Sequence, residues 1–296
     1  MPELSPEGGP TPSCPSSSCS SCPSAPSCPS GESPVQEEDA LPPRTRPRGV
    51  RFAVAVGSGK GGVGKSTVTA LLGVGLARWG KRVGILDADL TGPSIPRLLN
   101  LTDPAMPFGD GILPARSSRW GISAISINLL LEDPENPVIW RGPLLGGVVR
   151  QFWNDVSWGE LDVLLVDLPP GTSDAPLTLL QTADLDGFLG VTTPQGLAGM
   201  VVEKSLRMVD RLGVPILGLV ENWSSLECPF CGERTRPFGG QAVDVLGDRW
   251  GVKERIRLPL DPELMVRGDR GDLEDYDNPA VMEPLLEGFF RALPGV

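Results

Sequence analysis

Residues 57–67 read Gly-Ser-Gly-Lys-Gly-Gly-Val-Gly-Lys-Ser-Thr and fit the phosphate-cradling pattern G-x-x-x-x-G-K-[ST] from Gly59 to Ser66. Glycines let the backbone curl until its N–H groups converge on an anion. Gly59, Lys60, Gly61, Gly62, Val63, Gly64, Lys65, Ser66 and Thr67 are therefore the expected nucleotide-binding set. The helical pattern that follows adds the positive end of its dipole. Lys65 is placed to neutralise the β- and γ-phosphates, and the Ser66 hydroxyl to ligate Mg²⁺. Lys60 is one more cation beside the phosphates. The apolar run Phe52–Val56 leads in, which supplies the strand–loop–helix context the pattern requires.

Three carboxylates belong to the same chemistry. Asp87 and Asp89 close the apolar run Val83–Leu86. Acids at the C-terminal end of a strand beside a phosphate loop can hold Mg²⁺ or its waters. Asp167 follows Leu161–Val166 and precedes Leu-Pro-Pro-Gly, so apolar strand, Asp and stiff turn form a Walker B pattern with Asp167 in the metal's outer shell. Gly171 of that turn offers an N–H that can sense a γ-phosphate.

Cys228-Pro-Phe-Cys231 is a turn that aims two thiolates at one metal centre. Two thiolates leave a four-coordinate centre half-filled. The remainder comes either from Cys14, Cys19, Cys22 and Cys28 or from a two-fold-related copy. An iron–sulfur cluster, zinc and a redox pair all remain open at this level.

The elements that must position these groups are written in the composition. The chain has 296 residues, 40% of them hydrophobic, enough for one full α/β core plus appendages. Short Val/Ile/Leu-rich runs at Phe52–Val56, Arg82–Leu86, Leu161–Val166, Gly187–Val191 and Pro215–Val220 alternate with helical spacing at Ser66–Trp79, Pro176–Gln181 and Leu197–Leu212. That alternation predicts a doubly wound, mostly parallel sheet covered on both faces. Residues 51–296 are expected to form this domain. Residues 1–50 are dense in Pro, Ser and Cys and too poor in apolar side chains to fold alone, so they read as a disordered cysteine-bearing tail and linker. Arg44, Arg46, Arg48 and Arg51 read as a solvated flank. Asn278–Leu293 has apolar residues at helical spacing. Its charges are Glu283, Glu287 and Arg291, which favours core packing over a membrane-surface helix.

The net charge of −11 opposes nucleic acid as a partner. No apolar run is long enough to cross a bilayer, and no basic-then-apolar leader opens the sequence. A cytoplasmic location follows, where six cysteines serve as thiols or metal ligands rather than disulfides. Histidine is absent, which excludes Cys/His zinc fingers and a histidine base.

With two lysines in one loop, the chain resembles the deviant-Walker P-loop NTPases, the class of the ParA/MinD proteins. That resemblance implies that Lys60 reaches across a dimer interface to the partner's nucleotide. It also implies that Asp87 nears Mg²⁺ through a water, that Asp89 orients or activates the attacking water, and that Asn222 reads adenine. Within the class the chain resembles the Mrp/ApbC-type iron–sulfur cluster carrier ATPases. The matching stretches include Gly59–Thr67, Asp87–Pro96, Trp140-Arg-Gly-Pro143, Asp155–Asp174, Thr192-Thr-Pro-Gln195, Val220-Glu-Asn222 and Cys228–Cys231. They occur in the expected order over about residues 51–270. The resemblance implies a 4Fe–4S cluster bridged by Cys228 and Cys231 of two subunits, in a homodimer or with a paralogue. Cys19-x-x-Cys22-x₅-Cys28, preceded by Cys14, resembles the cytosolic nucleotide-binding-protein branch and implies a second, N-terminal 4Fe–4S cluster.

The function expected is slow, Mg²⁺-dependent ATP hydrolysis by a scaffold that passes a labile cluster to apo-proteins. Hydrolysis should be slow because no arginine finger is evident, Arg141 being the one candidate. The alternatives are a ParA/MinD-like partitioning ATPase, which leaves the cysteines unexplained, and a zinc-stapled nucleotide-binding scaffold.

Overall fold

Five apolar runs become the centre of one parallel sheet in a computed structural model that describes residues 43–131 and 142–296. Within those residues the chain forms β1 (Val50–Ser58), α1 (Lys65–Arg78), β2 (Val83–Asp87), α2 (Ile95–Leu98), β3 (Met106–Phe108), β4 (Gly111–Leu113), β5 (Ala115–Arg116) and β6 (Ser123–Ile125). There follow α3 (Gly142–Asn154), β7 (Leu161–Asp167), α4 (Asp174–Thr182), β8 (Gly187–Thr192), α5 (Gly196–Arg211) and β9 (Ile216–Glu221). The last elements are β10 (Leu226–Glu227), β11 (Arg234–Thr235), α6 (Ala242–Trp250), β12 (Glu254–Arg257), α7 (Pro262–Arg270) and α8 (Pro279–Ala292).

Eight strands make the main sheet, in the order β12-β9-β8-β1-β7-β2-β6-β5. All neighbours are parallel except β5 with β6. Every residue of β2 and of β8 is buried. Side chains alternate between the two faces of a strand, so both faces must be covered, as the unbroken apolar runs imply. The register sets Asp87 directly against Asp167, and Val56 against Asp167 on the other side. The phosphate loop after β1 and both acid-bearing strand ends therefore share one edge.

The core carries its largest side chains at Trp153, Phe152, Phe188, Tyr276 and Phe289. Truncating one of these to Ala should cost about 3–5 kcal/mol. Helix α8 begins at Pro279 behind an Asn278 cap that accepts the Ala280 N–H, and it buries Val281, Met282, Leu285, Leu286 and Phe289. The apolar stripe of this segment is core packing, as its charges suggested.

Residues 43–49 are part of the folded body rather than a solvated flank. Thr45 bridges to Ala183, and its carbonyl accepts the Trp153 indole N–H at 2.8 Å. Arg46 pairs with both Asp184 and Asp186 at 3.0 Å. Arg44 donates to the Leu212 carbonyl, while Arg48 and Arg51 stay exposed. No helix among the described residues is long and apolar enough to cross a membrane.

Candidate functional site

The phosphate loop turns on two left-handed glycines, Gly62 (φ +75°) and Gly64 (φ +81°), a conformation costly for residues with a Cβ. A Cβ on Gly64 would also strike the Asn222 amide, and one on Gly59 would strike the backbone at Val201 and Val202. Above Gly62 the space is open, which leaves the mouth of the loop free for an anion. Val63 is buried and pins the loop to the core. Helix α1 starts at Lys65 with no acidic residue in its first turn, so its N–H groups keep their positive field.

Below the loop the charges have found each other. Lys65 Nζ lies 2.6 Å from Asp167 Oδ2, and the Ser66 hydroxyl donates to the same oxygen at 2.6 Å. The Thr69 hydroxyl donates to Asp167 Oδ1 at 2.8 Å. Lys65 and Asp167 are both nearly inaccessible, at 6% and 0% side-chain exposure, so screening by water is weak. Asp87 is fully buried one strand away and accepts from the Ser126 hydroxyl at 3.1 Å and from the Ile95 and Asp89 N–H groups. Burial, then the neighbouring Asp167 carboxylate, push the Asp87 carboxyl up to about 8. Asp89 stands at the rim, accepting from the Thr91 hydroxyl at 2.9 Å and the Gly92 N–H. The donor set fits Mg²⁺: one hydroxyl and two carboxylates in one pocket beside a phosphate cradle.

Lys60 is half-exposed at the loop's outer side, with Nζ 3.2 Å from Gln195 Oε1. Its carbonyl accepts the Ser58 hydroxyl. The Pro169-Pro170-Gly171 turn closes over the loop, with the Gly171 N–H on the Ser58 carbonyl at 2.9 Å. Asn222 follows β9 and is 2% exposed. Its amide donates to the Val63 carbonyl at 3.0 Å and accepts the Trp223 N–H. In this arrangement Asn222 braces the phosphate loop from beneath. Trp223 is held at φ +60°, a conformation rare for a bulky residue and a mark of a constrained functional turn.

The cysteines lie beyond that turn. Strands β10 and β11 pair antiparallel, and Cys228 opens the connection between them. The Cys228 N–H donates to the Glu233 carbonyl, and the Gly232 N–H returns to the Cys228 carbonyl, both at 2.9 Å. Backbone N–H groups of Phe230 and Cys231, and then the Cys231 thiol, donate to the Cys228 sulfur and hold its thiol below the usual range. Cys228 is half-buried and Cys231 exposed, both free. Two thiols share one tight turn, which fits part of a metal centre; no group of three potential metal-binding Cys, Asp or Glu side chains occurs among the described residues.

Sequence reasoning named every member of the loop and each acid, and the structure brings Lys65, Ser66, Asp87 and Asp167 together. It missed Thr69, Ser126 and Gln195 as holders of Asp167, Asp87 and Lys60. Only Gln195 carried a signal, inside the Thr192–Gln195 stretch. Cys14, Cys19, Cys22, Cys28 and Arg141 lie outside the described residues.

Residues 49–287 match the ParA-class family described as NUBPL iron-transfer P-loop NTPase. The chain belongs to this family. Relatives of these iron-transfer NTPases include the iron-sulfur cluster carrier protein of Methanocaldococcus jannaschii, 44% identical over 224 residues, which are 75% of this chain and 77% of that one. The cytosolic Fe-S cluster assembly factor NUBP2 of Bos taurus is 45% identical over 240 residues, 78% of this chain and 89% of its own. Among solved structures, a nucleotide-binding protein of Archaeoglobus fulgidus in complex with ADP aligns at a TM-score of 0.70 with 45% identity, covering 78% of this chain and 90% of that one. The cell division ATPase MinD of Pyrococcus furiosus, 21% identical, aligns at 0.58 over 81% of this chain and 98% of its own, a likeness of fold.

Proposed function

We propose that this P-loop NTPase is a slow, Mg²⁺-dependent ATPase that carries a labile 4Fe–4S cluster and hands it to apo-proteins. The observation that carries the reading is a covalent continuity. Asn222 braces the phosphate loop, and six residues later Cys228 opens the thiol-bearing turn. What loads the loop is thereby linked to what the turn holds.

Lys65 leaves Asp167 to meet the β- and γ-phosphates, and Lys60 faces a partner subunit's nucleotide. Ser66, Asp167 and Asp87 would hold Mg²⁺ directly or through water, and the bound ion would supply charge neutralisation at the transferred phosphoryl. Asp89, at the rim, orients the attacking water. An adenine contact by Asn222 requires its amide to release Val63. Cys228 and Cys231 of two subunits complete the four-thiolate set, in a homodimer or with a paralogue, and Cys14, Cys19, Cys22 and Cys28 hold a second cluster. The relatives' names favour a cytosolic setting.

Anaerobic reconstitution of the full chain with its four tail cysteines changed to Ser tests the carrier. It should turn brown, take up about four irons and four sulfides per dimer, and pass them to an apo-ferredoxin. A colourless, zinc-loaded protein would sustain the zinc-stapled scaffold instead. Lys60→Ala should still bind ATP while the ATP-bound dimer weakens; an unchanged dimer constant defeats the cross-interface role.

A further inference from the structure

Phe230 stands between the two thiols and is 96% exposed, more than any other large apolar side chain described. Its backbone is not loose. The strand pairing of β10 and β11 and the Cys228 N–H on the Glu233 carbonyl fix both ends of the turn, and Gly232 (φ +71°) closes it. The ring's neighbours along the turn are mostly polar or small: Glu227, Pro229, Gly232, Glu233 and Arg234. An aromatic ring fully in water contributes nothing to the fold, because its stabilisation comes from removing apolar surface from solvent. What the turn does fix is the ring's place in it: next to Cys231 and two residues from Cys228, travelling with both.

We propose that Phe230 is the apolar cover of the cluster bound at Cys228 and Cys231, and that it sets how slowly the cluster is lost. This rests on the carrier reading above. Two copies bring two rings, one on each side of a shared centre. Apolar surface beside a metal centre limits the approach of water and of competing ligands. The cover is built into the ligand turn itself, so it opens when the turns separate and closes when they meet. A residue of this kind decides the lifetime of the cargo without contributing to its ligation or to ATP chemistry.

The test uses the full chain with Cys14, Cys19, Cys22 and Cys28 changed to Ser, so that colour reports the hairpin alone. Phe230→Ser and Phe230→Leu are reconstituted anaerobically beside this parent and challenged with excess iron(II) chelator. Initial iron and sulfide should be equal in all three. Phe230→Ser should release iron about tenfold faster, and Phe230→Leu within about twofold of the parent, because Leu preserves apolar cover. The melting temperature of the cluster-free protein should not move, since the ring is almost wholly exposed. Equal release from the parent and Phe230→Ser overturns the cover while leaving the carrier intact. Release from Phe230→Leu as fast as from Phe230→Ser also overturns it, because the effect would then be specific to the aromatic ring. A parent that takes up no iron and sulfide overturns the carrier reading and this one with it.

Discussion

Lys65 and Cys228 belong to two regions built on opposite terms. Around Lys65 every charge has a partner inside the chain: Asp167 takes the lysine, Ser66 and Thr69, and Asp87 takes Ser126. Around Cys228 the partners are backbone N–H groups of a four-residue turn, and Cys231 faces solvent. The first region is complete without ligand, and a ligand must displace internal contacts to enter. The second offers two thiols with no partner among the described residues beyond the turn itself, which is what the proposed half of a coordination sphere would need. Removing a side chain should therefore damage fold and function together at the loop, and function alone at the hairpin.

The largest effect is expected for Lys65→Ala. Turnover should fall by about 10³-fold or more, measured as phosphate release, because charge on the transferred phosphoryl is no longer stabilised. Asp167 would remain buried and unpaired, so denaturant unfolding should show a loss of about 3 kcal/mol. Adding Asp167→Asn should restore part of the stability and none of the turnover. A Lys65→Ala protein of unchanged stability would erase the contrast between the regions.

Asp89→Asn comes next. Turnover should drop by about 100-fold with ATP affinity kept within about twofold, since only water activation is touched. Parallel loss of binding would return Asp89 to the structural network of the loop.

A pH series sharpens the same contrast. The Asp87 carboxyl, raised to about 8, keeps a proton in the folded chain that the unfolded chain loses above about pH 4. Ligand-free stability should thus be full on the acid side of pH 4 and decline as pH rises towards 8, by at most about 1.4 kcal/mol per pH unit. Asp87→Asn should flatten that decline. A slope that survives the substitution assigns it to other groups.

The smallest effect on the fold belongs to Cys231→Ala. Melting and turnover should stay within about 0.5 kcal/mol of the parent while the hairpin's iron is lost. If the fold is weakened as much as by Lys65→Ala, the hairpin is not the open half-site described.

The parallel centre was legible because continuous Val/Ile/Leu runs in a chain of this size leave few alternatives. The five expected strands fall within two residues of β1, β2, β7, β8 and β9. The edges were not legible. Strand β12 is Glu-Arg-Ile-Arg, whose charges suit an edge and hide a strand. Helix α3 contains Gly142, Gly146 and Gly147, which lower the helical signal of its apolar spacing. Pro47 and three arginines made residues 43–49 look like linker, yet Arg46 is tied to acids more than 130 positions away, which no local pattern records. At the site, spacing named the loop residues and acids that the fold brings together. The Lys65–Asp167 pair, and the use of Asn222 as a brace, depend on strand register and stayed invisible until the strands were aligned.

Asn222 has a thermodynamic corollary. Its amide holds the Val63 carbonyl, and its chain runs through the constrained Trp223 into the cysteine turn. If nucleotide binding shifts Asn222 and so alters the turn's hold on its cargo by some factor, occupancy of the turn must alter nucleotide affinity by the same factor. An empty carrier and a loaded one should then differ in their dissociation constant for ATP, and that ratio, read by calorimetry on the two forms, measures the coupling without any transfer being observed.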